Sequence, residues 1–247
     1  MRHNKLLLGL TLVPALISTQ LLAGEFTLGL GAYTSKSEYK DLKNSSGAAP
    51  LIEYQGEGWS VSPSSISVDL LGGEEAPLKI TAVLESAGSE LDASDSKSFN
   101  GVKDRDASVD LGLEMSYAVG AGSINGSLTG DVSSTHKGYG LDVNYSHNIP
   151  LFGGMLQPAA GFEFKSANYT DYYYGVSSSE TATGRSAYKA GSAINPYLSY
   201  SYFYPINENV SLIHSTSVSF LDSEIKDSPL VDRSNTWSSF VGVGYEF

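Results

Sequence analysis

Val109-Asp-Leu-Gly-Leu-Glu-Met-Ser-Tyr117 is a strict period-two alternation. Val109, Leu111, Leu113, Met115 and Tyr117 fall on one side, with Asp110, Gly112, Glu114 and Ser116 between them. Successive side chains of a strand point to opposite faces, so this stretch reads as a strand with one apolar and one polar face. The pattern recurs on both sides of it. Phe26, Leu28, Leu30 and Ala32 alternate with Thr27, Gly29, Gly31 and Tyr33, and Tyr139, Leu141, Val143 and Tyr145 alternate with Gly140, Asp142, Asn144 and Ser146. Leu156 to Lys165 repeats it, and Trp237, Val241, Val243, Tyr245 and Phe247 share a face against Gly242, Gly244 and Glu246.

Segment length separates a sandwich from a transmembrane barrel. The segments run about ten residues, which is what a tilted strand needs to cross a bilayer, whereas sandwich strands are nearer five or six. Connectors also alternate in length: short at 71–77, 120–122, 150–154 and 205–209, long at 36–49, 87–106, 134–138, 169–190 and 222–235. Interleaved, they predict an antiparallel up-and-down barrel of about ten strands, with both ends on the short-turn side. The stretch 50–71 is read as one strand that bends at Gly56, Gly58 and Pro63. A separate hairpin in its outer half would change the count. Tyr200, Tyr202 and Tyr204 share one face at the short-turn end, and Trp59 and Trp237 are placed toward the loop end, as headgroup-level aromatics.

Composition narrows the function. The 247 residues carry 15 Lys+Arg against 27 Asp+Glu, a formal charge of −12, and the acidic balance excludes a phosphate-backbone footprint and hence nucleic acid. Zero cysteine excludes disulfides, thiolate zinc sites and a Cys nucleophile. Arg2 and Lys5, the apolar run Leu6 to Ile17 and the small Ala23 follow the order of a secretory signal peptide. Residues 1–23 are therefore expected to be removed, leaving 24–247 as one barrel domain in the outer membrane of a Gram-negative bacterium.

Several strings resemble one family. Asp171-Tyr-Tyr-Tyr-Gly-Val176, Asp227-Ser-Pro-Leu-Val-Asp-Arg233 and Lys103-Asp-Arg105 before Val109 are similar to segments of MipA/OmpV outer-membrane proteins. So are Ile52-Glu-Tyr-Gln-Gly56, His136-Lys-Gly138 and the stretch around Asn195-Pro196-Tyr197. The likeness runs from about residue 25 to Phe247. It implies a non-catalytic outer-membrane protein that scaffolds a murein lytic transglycosylase and a murein synthase. Other members are discussed as porin-like, as adhesins, or in antimicrobial and osmotic responses; the alternatives for this chain are a narrow cation-preferring outer-membrane channel and a surface adhesin or receptor. The terminal strand, through Gly242, Tyr245 and Phe247, resembles the signal by which the barrel-insertion machinery recognises its clients; Phe240 stands where a polar residue is commoner. The family supplies no catalytic residues to transfer.

Taking the polar member of each pair as lumen-facing gives Asp69, Glu85, Asp110, Glu114, Asp131, Asp142, Glu163 and Glu246 inside, opposed by Lys79 and Lys165. These acids form either a hydrated polar plug or the lining of a cation-preferring water path. For a periplasmic partner, the exposed short turns are the candidates, through Glu74, Glu75, Asn207 and Glu208. His136, His147 and His214 stand on separate segments without paired-ligand spacing, and no nucleophile elbow or cofactor motif appears, so no catalytic, metal or cofactor site is assigned.

Overall fold

The computed structural model describes residues 24–73 and 76–247. The expected signal peptide, 1–23, lies outside the described residues. The rest is dominated by strands: β1 (Glu25–Lys36), β2 (Ser45–Gly56), β3 (Trp59–Val61), β4 (Ser65–Leu71), β5 (Leu78–Ala87), β6 (Ser108–Val119) and β7 (Gly122–Asp131). β8 (Tyr139–His147), β9 (Ile149–Leu151), β10 (Gly154–Lys165), β11 (Ala193–Pro205), β12 (Val210–Phe220) and β13 (Asn235–Glu246) complete the series. Neighbours pair antiparallel, β10 joins β11, and β13 returns to β1 from Thr27–Glu246 to Lys36–Trp237, closing the sheet on itself. Closure is what hydrocarbon demands, because an unpaired strand edge has no water to satisfy it there. No described helix is long and apolar enough to cross a membrane; the crossing is made by strands.

The ring has twelve staves, with β9 continuing the line of β8 along β10. The expectation of about ten is corrected at 50–71, which is not one bent strand but the end of β2 followed by the hairpin β3–β4. Glu57–Gly58 reverses the chain, with Gly58 at φ +76°, a conformation that costs glycine no Cβ clash. The second reversal, Ser62–Ser64, is held by its serines: Ser62 N–H donates to Ser65 O at 2.8 Å, and Ser62 Oγ accepts Ser65 N–H at 3.1 Å. Two extra staves keep the count even and leave the start of β1 and the end of β13 at the short turns. Trp59 therefore begins β3 beside the Gly58 turn, at the short-turn end rather than the loop end. Because β3 is three residues long, residues 45–53 of β2 pair only with β1. Pro50, which has no N–H to give, falls in this one-sided stretch.

Side chains sort as the alternation predicts. Leu28, Leu30, Leu111, Leu113, Leu128, Leu198, Val241 and Val243 form an exposed apolar belt on the outside. Glycines recur on the inner wall where β1 meets β13, at Gly29, Gly31, Gly242 and Gly244, and Phe240 fills the space beside Gly31 and Gly242. A Cβ on Gly31 or Gly242 would lie 2.3 or 2.7 Å from Phe240 Cζ. The aromatic at 240 is thus a packing partner of those glycines.

The hydrophobic core proper lies outside the wall, in the loops. Tyr39, Leu91, Phe99, Val102, Tyr173, Tyr174, Val176, Ile225 and Leu230 are buried together. They come from 37–44, 88–107, 166–192 and 221–234, all at the same end of the barrel. The long connectors carry two helices, α1 (Ala167–Tyr174) and α2 (Ser223–Lys226).

Candidate functional site

The lumen is two-sided. Most of the inward acids stand on β4 to β8 and β10, and strand register sets several against one another. Glu85 is opposite Asp110, and Asp142 is opposite Glu163. Like charges in directly opposed positions repel unless water or a cation screens them. Lys79 Nζ neutralises Asp69 at 3.0 Å, and Thr81 donates to the same carboxylate at 3.1 Å. Asp142 accepts Asn144 Nδ2 at 2.9 Å and the Tyr197 hydroxyl at 3.1 Å. Glu114 faces Thr81 and Ser127 across the ladder. Lys165 Nζ lies 4.9 Å from the centre of the Tyr169 ring, so the second lumen cation sits under α1. Glu246 stands apart, opposite Thr27 at the short-turn rim.

Asp131 has a local task. Its carboxylate accepts the backbone N–H groups of Ser133, His136 and Lys137 and the Ser133 hydroxyl, each at 2.7 Å, and so ties the β7–β8 loop. Sequence reasoning missed Glu53. It faces inward opposite Thr27 on β1, and the alternation from Leu51 to Gln55 would have found it.

At the top of the acid wall, Ser108, His136 and Asp110 come together, all buried. A serine nucleophile needs the hydroxyl on one imidazole nitrogen and the acid on the other. Here Ser108 Oγ is 3.1 Å and Asp110 Oδ1 3.5 Å from the same atom, His136 Nε2. Nδ1 accepts the Gly138 N–H at 2.9 Å, and Ser108 Oγ donates to Ala87 O at 3.2 Å. This geometry has no base for the hydroxyl. It locks the β7–β8 loop onto β6. Among the described residues no His, Cys, Asp and Glu cluster could hold a metal ion.

Polar clamps bind the loop core into one cap. Glu180 Oε1 accepts Lys103 N–H and Arg105 Nη2, each at 3.0 Å, while Oε2 accepts Ser177 N–H and hydroxyl at 2.9 and 2.7 Å. Burial on its own would raise the pKa of Glu180, but these hydrogen bonds from Lys103, Ser177 and Arg105 outweigh it and hold the carboxyl at about 2. Arg185 donates to the carbonyls of Glu180, Ser98 and Asn100, stitching 88–107 to 166–192. The Tyr39 hydroxyl, shared between Ser89 O at 2.8 Å and Tyr173 O at 3.1 Å, adds the first loop, and Ser228 Oγ donating to Tyr174 O at 2.6 Å adds the last. Burial pushes the Tyr39 and Tyr174 phenols well above their ordinary range, so they stay neutral donors.

The opposite end differs in kind. Its turns are 57–58, 72–77, 120–121, 152–153 and 206–209, and Glu74 and Glu75 lie outside the described residues. Asn207 spends its side-chain oxygen on the N–H groups of Asn209 and Val210. Glu208 is exposed beside a shallow pocket lined by Asn207, Asn209, Val210 and Tyr245. Phe152, at the tip between β9 and β10, is 87% exposed. Tyr245 and Phe247 are exposed on the outer surface with rings 4.7 Å apart, and Gly242 faces inward beneath Phe240. No described residue of the short turns is Lys or Arg. Apart from Lys79 and Lys165, the described basic residues sit in the long loops or at the loop ends of strands.

The family described as "MltA-interacting protein MipA" matches residues 28–247. Outer membrane protein OmpV of Vibrio cholerae is 33% identical over 224 residues, covering 91% of this chain and 87% of that protein. The MltA-interacting protein of Escherichia coli K12 is 27% identical over 225 residues, covering 91% of each. Among solved structures, a loop-deleted OmpT of Vibrio cholerae superposes with a TM-score of 0.41 at 7% identity, covering 91% of this chain and 100% of that one.

Proposed function

Because the chain belongs to the MltA-interacting protein MipA family, we propose that this outer-membrane barrel is a non-catalytic scaffold. It holds murein-remodelling enzymes, a lytic transglycosylase and a murein synthase, at the inner face of the membrane. The observation that carries the reading is the contrast between the two ends. Long loops project outward and short turns face the periplasm in barrels of this class. The outward loops are packed and hydrogen-bonded among themselves, whereas the inner rim presents exposed side chains at Phe152, Ile206 and Glu208. A small rim suits a weak or transient contact. A photocrosslinker at Glu208 in intact cells should join the barrel to one of the two enzymes; exclusive crosslinking to lipid or to the barrel itself would reject the scaffold.

A second reading is favoured by the opposed acid pairs Glu85–Asp110 and Asp142–Glu163. With Lys79 neutralised by Asp69, Lys165 is the lumen base left to offset these four acids, and a water path along this wall would carry cations in preference to anions. Planar-bilayer recording tests it: anion preference excludes a cation path, and absence of conductance leaves the acids as a hydrated plug.

A further inference from the structure

We propose that the periplasmic rim is a docking face for a basic protein surface, and that Phe152 is the aromatic anchor that seats in it. The inference rests on the scaffold reading and names where the partner is held and what chemistry it must have. Phe152 is the most exposed large apolar side chain among the described residues, at 87%. It lies past Leu151–Gly154, the last rung of its ladder. Phe152 and Gly153 both have positive φ, +48° and +81°. A two-residue turn with both central residues left-handed is the natural place for Asn-Gly or Asp-Gly, since a bulky Cβ crowds the backbone there. The hairpin itself gains nothing from an aromatic at that tip. A ring held out at the cost of backbone strain has the form of a contact residue.

The surroundings define the partner. A Cβ on Gly153 would lie 3.5 Å from Tyr204 Cε2, so the tip leans toward β11 and its turn. There Ile206 is half exposed, and Glu208 flanks the pocket under Tyr245. Glu25, Glu57 and Glu246 extend the acidic character around the rim, with no Lys or Arg on the described short turns. An aromatic and aliphatic pair flanked on one side, from β11 to β3, by acidic residues has the layout of a protein interface with a charged flank. Acidic surfaces are repelled by it, and a basic surface with a pocket for one ring is attracted.

The Phe152→Asn variant separates binding from folding, because Asn suits the left-handed turn better than Phe. Full-length barrels in lipid nanodiscs would be titrated with a purified lytic transglycosylase and, separately, a murein synthase at low and high salt. The expected result is binding by the wild type, weakened about 30-fold by Phe152→Asn through faster dissociation, the usual scale for losing an aromatic hot spot. Glu208→Lys should slow association at low salt and lose its effect at high salt. Heat resistance of the Phe152→Asn barrel should equal or exceed that of the wild type. Equal binding by wild type and Phe152→Asn would overturn the anchor and leave the scaffold reading standing. Binding of neither enzyme to the wild type would overturn both. Reduced heat resistance of Phe152→Asn would place the ring in the lipid interface and overturn the anchor.

Discussion

Replacing Glu180 by glutamine should loosen the outer cap and leave the barrel wall intact. The carboxylate is 4% exposed and carries the hydrogen bonds from Lys103, Arg105 and Ser177. Its pKa of about 2, against an ordinary 4.5, corresponds to roughly 3 kcal/mol of cap stability. The folded value is the depressed one, so this contribution is complete above about pH 4.5 and is lost as the pH falls toward 2. Glutamine removes it at every pH and strands the buried Arg105 guanidinium without its counter-charge. At pH 7 a loss of about 3 kcal/mol raises the open population of the cap roughly 150-fold. Hydrogen exchange read by mass spectrometry on peptides from 88–107 and 166–192 measures this directly, with β6 and β11 peptides as the internal control. Protection should fall by about that factor in the loops and stay constant in the strands. As the pH is lowered from 5 to 2.5, the wild type should converge on the variant after correction for intrinsic exchange. Loop protection within about threefold of wild type at pH 7, or a gap that persists in acid, would refute the assignment of Glu180 as the clamp.

Other expectations concern the wall, the lumen and the cap. Gly31→Val should prevent or weaken barrel closure, because its Cβ would meet Phe240 Cζ at 2.3 Å and Val241 O at 2.7 Å; overpacking of this kind costs about 1–3 kcal/mol, and the folded, heat-modifiable gel band should diminish. If the lumen conducts, Lys165→Met should raise its cation preference, read as a shift in reversal potential under a salt gradient; a shift toward anions would contradict the lumen placement of that ammonium. Tyr39→Phe should cost about 1–3 kcal/mol by leaving buried carbonyls unsatisfied, visible as faster exchange at 37–44 with no change in β1.

Period two placed most of the wall correctly, because lipid on one side and an enclosed interior on the other impose the same alternation on each stave. Phe26 to Ala32 and Val109 to Tyr117 face as their sequence spacing requires. The stretch 50–71 failed for a definite reason: a three-residue strand spans barely one cycle of the alternation, and the Ser62–Ser64 reversal lacks the Asn-Gly or Asp-Gly signature of a tight hairpin. Glu53 escaped notice in the same stretch. The loop clamps were illegible for a different reason. Arg105 and Glu180 are 75 residues apart, and Tyr39 meets Tyr173 across 134; no periodicity connects such partners.

Residue order alone, through alternation and connector length, determined an antiparallel barrel with an apolar exterior, an acid-rich interior and unequal ends. Only the folded chain decided that the ring has twelve staves and that the long loops share one buried core. It also decided that Ser108 and Asp110 meet the same nitrogen of His136. Solvent contrast acts on every residue of a strand and is written locally, whereas the packing of loops is settled between segments that become neighbours only when the sheet closes.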